Sequence, residues 1–201
     1  MNIENADFED VDEVVDLHIQ AFPGFFLTSL GKGFLKELYA GFLTDSTGIF
    51  LVARNEEGLV GFAAGTSEPE AFFADLRRRR GAVFAIKAIP AIVKNPLPVC
   101  RKLFYAVRYR GEVPVARSSG ALLSSIGIAI SGVGTGIAGG LIVAFENEVL
   151  KRGVKSVYLT TDVQDNDRVN AFYAKHSYVV LDRFKQNGRR DMFRYEKILS
   201  S

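Results

Sequence analysis

Apolar residues recur at helical spacing in the first part of the chain and form short strand-like runs directly after it. The helical spacing predicts one amphipathic helix over residues 8–22, with His18 on its apolar face, and a second helix over residues 33–42. The runs 49–54 and 59–66 are rich in strand-forming residues and are separated by a polar turn that contains glycine, which predicts a β-hairpin. The chain therefore begins with two helices followed by two paired strands.

The second half of the chain is organised around a glycine-rich turn between a strand and a helix. Residues 121–130 form an apolar run typical of a buried strand, and residues 137–152 show helical spacing that ends at Gly153. The later predicted elements are a strand over 155–161, a short helix over 167–175, and two strands over 178–184 and 191–198 that pair antiparallel.

The segment between these halves is predicted to be a basic, largely helical insertion at about 69–117, within a single domain that spans residues 1–201. Pro90, Pro96 and Pro98 are expected to interrupt its helices. Eleven basic against two acidic residues give positions 75–117 a net charge of +9, which leaves −7 for the rest of the chain. This asymmetry indicates that one face meets a phosphorylated substrate, a nucleic acid or an anionic membrane surface.

Composition narrows the class of protein. A chain of 201 residues with 48% hydrophobic and 24% charged residues has an ordinary globular balance. Its first residues are acidic and lack an apolar run, so we expect no signal peptide and a cytoplasmic location. Cys100 is the single cysteine and is expected to pack as a small hydrophobic residue, and with two histidines it does not suggest a zinc site.

The glycine-rich turn, residues 133–138, has the properties of an anion-binding site. Glycines let the backbone approach an anion, and the N–H groups at the start of the following helix stabilise a pyrophosphate. A P-loop is excluded because Gly139, Gly140 and Leu141 stand where Gly-Lys-Ser/Thr is required. Residues 134–139 also satisfy the dinucleotide fingerprint G-x-G-x-x-G, and Asp162 ends the next strand where a ribose-binding acid belongs. A NAD-type site therefore stays open on spacing alone.

Two features weigh against a doubly wound dinucleotide fold. More than half of the chain precedes the turn, and only 62 residues follow Gly139. Those residues are predicted to finish in an antiparallel hairpin rather than in further βα units.

The turn and the helix after the next strand together resemble the GNAT acetyltransferase superfamily. The cofactor motif of that family runs Gln/Arg-x-x-Gly-x-Gly/Ala and is followed by a helix, a strand and an Asn seven residues before a Tyr. Gly136 and Ala138 fill the two small positions, and Asn166 and Tyr173 have the seven-residue spacing. The chain departs from the family at Val133, where Gln or Arg is usual, and at 177–178, where Ser-Tyr replaces the usual Gly-Phe.

This resemblance implies an α/β (α+β) fold with a mixed, mostly antiparallel central sheet flanked by helices. It implies transfer of an acetyl group from acetyl-CoA to a primary amine, with strand residues 125–130 splayed from their neighbour. An N–H near Ile128 is implied to stabilise the oxyanion, and the Tyr173 hydroxyl to protonate the CoA thiolate or only to orient CoA. The implied cofactor contacts are Ile128, Ile130, Val133, Gly134, Thr135, Gly136, Ile137, Ala138 and Asn166. Asn166 is alternatively a helix cap.

The general base is left open because the strand 121–130 has no carboxylate. The candidates are Ser124, Ser125, Asp162, His18 and a chain of water molecules. An amine less basic than lysine needs little help, which favours an amino sugar or an aromatic amine.

The partner is expected to be a small-molecule amine. The four arginines at 77–80 either form a solvated surface or attract CoA phosphates or an acidic acceptor such as a nucleotide-linked amino sugar. Residues 21–27 are similar to acetyltransferases of surface-polysaccharide pathways. Nucleic-acid binding is not expected, because no reading module accompanies the charge. A protein that binds a membrane surface or a partner without catalysis is the alternative from a different class.

Overall fold

Seven strands form one continuous sheet in the order β1-β2-β3-β4-β5-β7-β6. The computed structural model describes residues 2–94, 96, 120–186 and 190–200. The strands are β1 Asn2–Asn5, β2 Gly48–Asn55, β3 Gly58–Thr66, β4 Ala121–Ile128, β5 Ser156–Asp162, β6 Val179–Gln186 and β7 Arg190–Ile198. The helices are α1 Asp10–Ala21, α2 Phe26–Ser29, α3 Lys32–Thr44, α4 Pro69–Lys94, α5 Ile137–Lys151 and α6 Asp167–Lys175, with a 3-10 helix at Ile130–Gly132.

The pairing of these strands is antiparallel with one exception. Among the described strands, β4 and β5 form the single parallel pair. The predicted mixed, mostly antiparallel sheet is therefore confirmed, as are the two predicted hairpins β2–β3 and β6–β7. A doubly wound dinucleotide fold, which needs a largely parallel sheet, is wrong for this chain.

Both faces of the sheet are covered at its central strands. Helices α1 and α3 pack on one face, with α4 against α3, and α5 packs on the other face. In β2, Phe50 and Val52 face the first helix layer, whereas Leu51 and Ala53 face α5. Because both faces of this strand are buried, its sequence is continuously apolar rather than alternating.

The predicted interruption of the basic segment at Pro90 is wrong, because α4 runs through this residue. Proline removes one helical hydrogen bond and crowds the preceding turn. Here Pro90 is exposed, while Ala88 and Ala91 on either side are buried, and Ala91 packs in a small cluster with Leu30. Packing on both sides of the proline therefore keeps the helix continuous.

Other boundaries also differ from the sequence expectation. The strand predicted over 121–130 ends at Ile128, because the chain turns into the 3-10 helix that begins at Ile130. Strand β1 is short and polar, so only its pairing with β2 reveals it. Helix α2 is a single turn that begins at Phe26, within the aromatic segment 21–27, and ends at Ser29.

Several sequence expectations fall outside the described residues. These are Pro98, Cys100 and the basic positions of 101–117, together with most of the turn that joins β6 to β7. In the part of the chain that the structure describes, no helix has both the length and the hydropathy needed to cross a membrane.

Helices α5 and α6 end in the same way, although different residues occupy the critical position. After α5, the Val154 N–H donates to the Val149 carbonyl at 3.2 Å around Gly153, which has φ +76°. After α6, the Tyr178 N–H donates to the Tyr173 carbonyl at 3.1 Å around Ser177, which has φ +66°. Both are Schellman endings, which favour glycine at the left-handed residue. Ser177 therefore carries a steric cost that Gly153 avoids.

Replacing Ser177 with glycine is expected to stabilise the protein by about 1 kcal/mol, because the left-handed conformation disfavours a Cβ atom. Urea unfolding followed by circular dichroism measures the change. Gly153→Ala is the matched control, since no atom lies near its new Cβ and only the backbone conformation opposes it. This control should lose about 1 kcal/mol. Equal stability of Ser177→Gly and the parent would contradict the prediction.

Candidate functional site

The strands β4 and β5 separate toward one end of the sheet. Their pairing is confined to Ala121 opposite Val157 and Leu122 opposite Tyr158. β4 continues to Ile128 along β3, while β5 continues along β7. Beyond Leu122, the edge of β4 that faces β5 has no partner strand within the described residues, so its backbone groups are available to an extended ligand. We call this opening the split.

The glycine-rich turn lies at the open end of the split. After β4 the chain stays attached to β3, because the Ala129 N–H donates to the Val60 carbonyl at 2.9 Å. The following 3-10 turn is packed tightly at Gly132, where a Cβ would come within 2.9 Å of Ile128 and 3.0 Å of Ile137. Because Gly132 has no side chain, the turn can pack closely against Ile128 and Ile137 at the start of α5.

The turn presents several backbone donors to solvent. Gly134 and Gly136 have φ of +86° and +87°, which places the turn in a conformation that glycine adopts without strain. Because α5 begins at Ile137, the N–H groups of its first turn have no partner within the helix. Among the described residues, no backbone carbonyl accepts a hydrogen bond from Gly134, Gly136, Ile137 or Ala138. These amides form a cluster of donors at the positive end of the helix dipole.

Three other residues of the predicted cofactor set are placed differently. The Val133 N–H donates to the Ile130 carbonyl at 3.2 Å, and the Val133 side chain is exposed. Thr135 uses both its N–H and its hydroxyl on the Gly132 carbonyl, at 3.3 and 2.7 Å. Ile130 is almost fully exposed and lies in the 3-10 helix rather than in β4. The amides of Val133 and Thr135 are therefore occupied within the turn itself.

Asn166 connects the beginning of α6 to the end of β5. It occupies the cap position, but its side chain makes no capping hydrogen bond. Instead its Nδ2 donates to the Thr161 hydroxyl at 2.8 Å and to the Asp162 carbonyl at 3.1 Å. Asn170 donates to the same carbonyl at 3.2 Å. The helix-cap interpretation of Asn166 is thus wrong, because this side chain points back to the strand.

Tyr173 lies on α6 and is buried in an aromatic cluster. Its ring contacts Phe172, Tyr178 and Tyr195, with centroids 5.3, 5.8 and 5.7 Å away. Burial raises the pKa of the Tyr173 hydroxyl well above its ordinary value. The hydroxyl is therefore protonated at neutral pH and can act as a hydrogen-bond donor.

His18 lies on the opposite face of the sheet, between α1 and α3, and it is buried. Its Nδ1 lies 2.7 Å from the Tyr39 hydroxyl, and its Nε2 has no hydrogen-bond partner in the described structure. Burial lowers the pKa of His18 to about 4, so the imidazole is neutral at pH 7 and is a weak base.

Asp162 is already engaged by another side chain. At the end of β5 its carboxylate accepts two hydrogen bonds from the Arg190 guanidinium at the start of β7. The same guanidinium lies over the ring of Phe25, 4.7 Å from its centroid, and Phe25 packs on Phe22 at 5.4 Å. The bidentate pair leaves Asp162 poorly suited to act as a general base or to bind a ribose. These aromatic rings and the ion pair line one side of the open end.

The arginine run 77–80 lies elsewhere. Arg78 and Arg79 pair with Asp75 on their own helix, and Arg80 donates to Glu37 on α3 at 2.7 Å. Helix α3 packs against the face of the sheet that lies opposite α5 and its glycine-rich turn. The structure therefore does not bring this run to the predicted cofactor residues.

Sequence patterns singled out the glycine-rich turn, Asn166 and Tyr173, but not the contacts of the residues around them. Tyr39 was visible only as an apolar position of a predicted helix. Arg190 and Phe25 meet because a loop and a strand end come together in space, and no local signal marks that contact. Spatial partners of this kind require the sheet topology.

Comparison with known proteins identifies the fold. No known family model and no curated protein sequence matches the chain. It resembles solved structures, among them aminoglycoside 6'-acetyltransferase type Ii, with a TM-score of 0.63 and 18% identity over 100% of this chain and 99% of that one. A second is aminoglycoside 6'-N-acetyltransferase complexed with coenzyme A, with a TM-score of 0.62 and 17% identity over 100% and 98% of the two chains.

A third is the ribosomal-protein-alanine N-acetyltransferase from Brucella melitensis, with a TM-score of 0.62 and 14% identity over 99% of this chain and 100% of that chain. An acetyltransferase of the GNAT family from Desulfovibrio desulfuricans is similar over 99% of both chains, with a TM-score of 0.58 and 13% identity. The chain has the GNAT acetyltransferase fold. This confirms the fold that the sequence resemblance implied.

The buried neutral His18 is expected to make stability fall as the pH drops. In the unfolded chain histidine gains a proton near pH 6.5, whereas folded His18 does so only near pH 4. The unfolded state therefore binds more protons between these values, which should cost on the order of 3 kcal/mol by the lower end of that range. Urea unfolding at a series of pH values measures this loss.

The control is His18→Asn, which keeps a polar atom near Tyr39 but does not titrate. Carboxylates affect both proteins alike, so the difference between the two curves isolates His18. Identical pH dependence in the parent and the variant would show that His18 is not buried in its neutral form.

Proposed function

We propose that the protein is an N-acetyltransferase that moves an acetyl group from acetyl-CoA to a primary amine. The observation that carries this proposal is the split between β4 and β5 with the free amides of the turn at its open end. An unpaired strand edge and a cluster of N–H donors at a helix start suit a ligand that has both an extended amide-containing arm and a pyrophosphate.

The residues of the chain fit such a cosubstrate. The backbone of β4 between Leu122 and Ile128 would pair with the pantetheine arm, since no described strand pairs with that edge. The amides of Gly134, Gly136 and Ala138 would hold the pyrophosphate. Bound acetyl-CoA supplies an activated thioester, whose carbonyl is attacked by the amine. An N–H near Ile128 would donate to the carbonyl oxygen as negative charge develops there.

Tyr173 is proposed as the donor to the sulfur that leaves. Its hydroxyl is protonated at neutral pH because burial raises its pKa. A raised pKa also makes it a weaker acid, so its main contribution would be a hydrogen bond that stabilises the developing thiolate. Asn166 supports this arrangement from the end of β5, where it ties α6 to the strand.

The acceptor is proposed to be an amine that is largely neutral at pH 7. Two of the candidate bases are poorly suited to the task, since Asp162 is engaged by Arg190 and burial lowers the pKa of His18 to about 4. Amines of amino sugars are less basic than lysine and need less assistance. The exposed ring of Phe25 at the open end can stack against a sugar face. We therefore propose an amino sugar, free or nucleotide-linked as in surface-polysaccharide pathways.

The exposed residue Val133 offers a direct test of the cosubstrate site. Val133→Arg places a cation beside the free amides and should tighten acetyl-CoA binding, whereas Val133→Glu should weaken it, each by about fivefold. Thermal-shift titrations with acetyl-CoA measure the affinities, because a ligand that binds only the folded state raises its stability.

The matched control uses Val143, which is as exposed as Val133 but lies within α5, away from the turn. The same two substitutions at Val143 should leave the affinity unchanged. NAD serves as the comparison ligand. A shift with NAD alone, or equal responses at both valines, would overturn the proposed site.

Tyr173→Phe is expected to slow acetyl transfer by about tenfold to a hundredfold, because it removes the donor to the thiolate while keeping the ring. Release of free CoA is followed with a thiol reagent, using acetyl-CoA with glucosamine, an aminoglycoside and an aromatic amine. Tyr158→Phe is the control, since this buried tyrosine lies at the closed end of the split. Unchanged turnover in Tyr173→Phe would remove this residue from the chemistry.

A further inference from the structure

Helix α4 packs against α3 along one of its sides. On that side the ring centroids of Phe84 and Phe34 lie 4.6 Å apart. Ala88 and Ala91 are buried on the same side, and Ala91 packs in a small cluster with Leu30. Residues three or four apart share a face of a helix, so the side of α4 that carries the intervening positions is turned away from α3.

The outward side of α4 is apolar in its second half. Ile86, Ile89 and Val93 are 63%, 52% and 77% exposed, and their spacing of three and four residues places them in one line. We call these three residues the α4 stripe. The exposed residues around it are also apolar, namely Ala82, Val83, Ala85 and Pro90. Single exposed apolar residues are ordinary, but several neighbouring ones are characteristic of a surface that meets another molecule.

Basic residues continue the same side of the helix toward its start. Arg79 precedes Ile86 by seven residues, which is two helical turns, so it lies in line with the α4 stripe. Arg78 is its neighbour, and these two exposed guanidinium groups share the single carboxylate of Asp75. Residues 75–94 contain six basic residues and one acidic residue, a net charge of +5. The outward side of α4 is therefore apolar and positively charged at once.

Two lysines add to this charge. The stem of Lys87 packs on α3, because a Cβ atom at Gly33 would come within 3.2 Å of the Lys87 Cδ. Lys87 is nevertheless exposed, so it lies at the margin of the outward side, and Lys94 is exposed at the end of the helix. A lysine at such a margin covers apolar surface with its methylene groups and keeps its ammonium group in a polar layer.

The position and chemistry of this surface limit what can bind it. The layer of α3 and α4 covers the face of the sheet opposite α5, so the charge is not beside the glycine-rich turn. A nucleic acid presents phosphate and sugar at its outer surface and would leave the α4 stripe in water. A second copy of the chain would bring two positively charged helices together, which like-charge repulsion opposes. An anionic membrane surface matches both features, because its headgroups attract cations and its acyl chains accept apolar side chains.

We infer that α4 lies in the surface of a membrane that contains anionic lipids. The α4 stripe enters the boundary between headgroups and acyl chains, and Arg78 and Arg79 pair with headgroup phosphates. Lys87 and Lys94 reach the headgroups from the margin and the end of the helix. This contact is independent of the proposed acetyl transfer, since it involves no residue of the split or of the glycine-rich turn.

Sedimentation of the full chain with lipid vesicles tests this contact. Phosphatidylcholine vesicles with about one-third phosphatidylglycerol should carry the protein into the pellet, and vesicles of phosphatidylcholine alone should bind it at least about tenfold more weakly. Raising the salt concentration from about 0.1 M to about 1 M should weaken the binding, because the added ions screen the charges. Equal binding to both kinds of vesicle, or binding to neither, would overturn the inference.

Val93→Glu tests the apolar part of the surface. It should lower binding to the anionic vesicles by at least about tenfold, because an apolar side chain is lost and a negative charge is added. Circular dichroism checks that the fold is kept, as expected for an exposed position. Val143→Glu is the matched control, since it makes the same change at an exposed valine of α5 on the other face of the sheet. Equal losses of binding in the two variants would contradict a role for the α4 stripe.

The double variant Arg78→Gln with Arg79→Gln tests the basic part and should lower binding by about tenfold. Its control, Lys32→Gln with Lys36→Gln, removes the same charge from α3, where both lysines pair with carboxylates of α1. This control should change binding by less than about twofold, because charges away from the membrane are screened. Comparable losses in the two double variants would show a response to net charge alone and refute the assigned surface.

Two further measurements distinguish the membrane from other occupants. Sedimentation velocity without vesicles should show that Val93→Glu leaves the oligomeric state unchanged, whereas a dimer that this substitution dissociates would assign the α4 stripe to a second copy of the chain. A single-stranded oligonucleotide should not displace the protein from anionic vesicles. If it does so, and the double arginine variant no longer binds it, the surface belongs to a nucleic acid. Either of these contrary results would overturn the inference.

Discussion

The divergence of β4 from β5 is the constraint on which the rest of the site depends. Two parallel strands that pair at only two positions leave a row of backbone donors and acceptors without partners, which is costly unless water or a ligand satisfies them. The opening is maintained because β4 is held to β3 along its whole length and beyond it, through the Ala129 N–H. The chain must turn back at the end of β4 to begin α5, and the glycine-rich turn makes this reversal.

The two faces of the sheet carry different polar groups near this opening. The free amides of the turn and the buried Tyr173 both lie on the α5 face. On the opposite face, the aromatic core between α1 and α3 encloses His18 and Tyr39, and His18 Nδ1 lies 2.7 Å from the Tyr39 hydroxyl. Burial keeps His18 neutral at pH 7 and makes it a weak base.

Local patterns predicted most of the elements. Residues close together in the sequence are enough to show the apolar faces of α1, α3 and α5 and the apolar runs of β2, β3 and β5. Predictions failed where tertiary packing outweighed local preference: α4 continues through Pro90 because Ala88 and Ala91 are buried on either side. The glycine-rich turn and the spacing of Asn166 and Tyr173 were evident from sequence, but the engagement of Asp162 by Arg190 was not. That contact joins the ends of two strands, and only the register of β5 with β7 brings them together.

The departures from the usual family motif share one physical consequence. Val133 stands where the family motif has Gln or Arg, and β4 carries no carboxylate. In both places the proposed site therefore has only backbone groups or neutral side chains. Neutral donors and acceptors lose less on burial than charges but also stabilise a reacting partner less. For the transferase proposed above, a site of this kind suits an amine that is already neutral, so basicity as well as shape would limit the choice of acceptor.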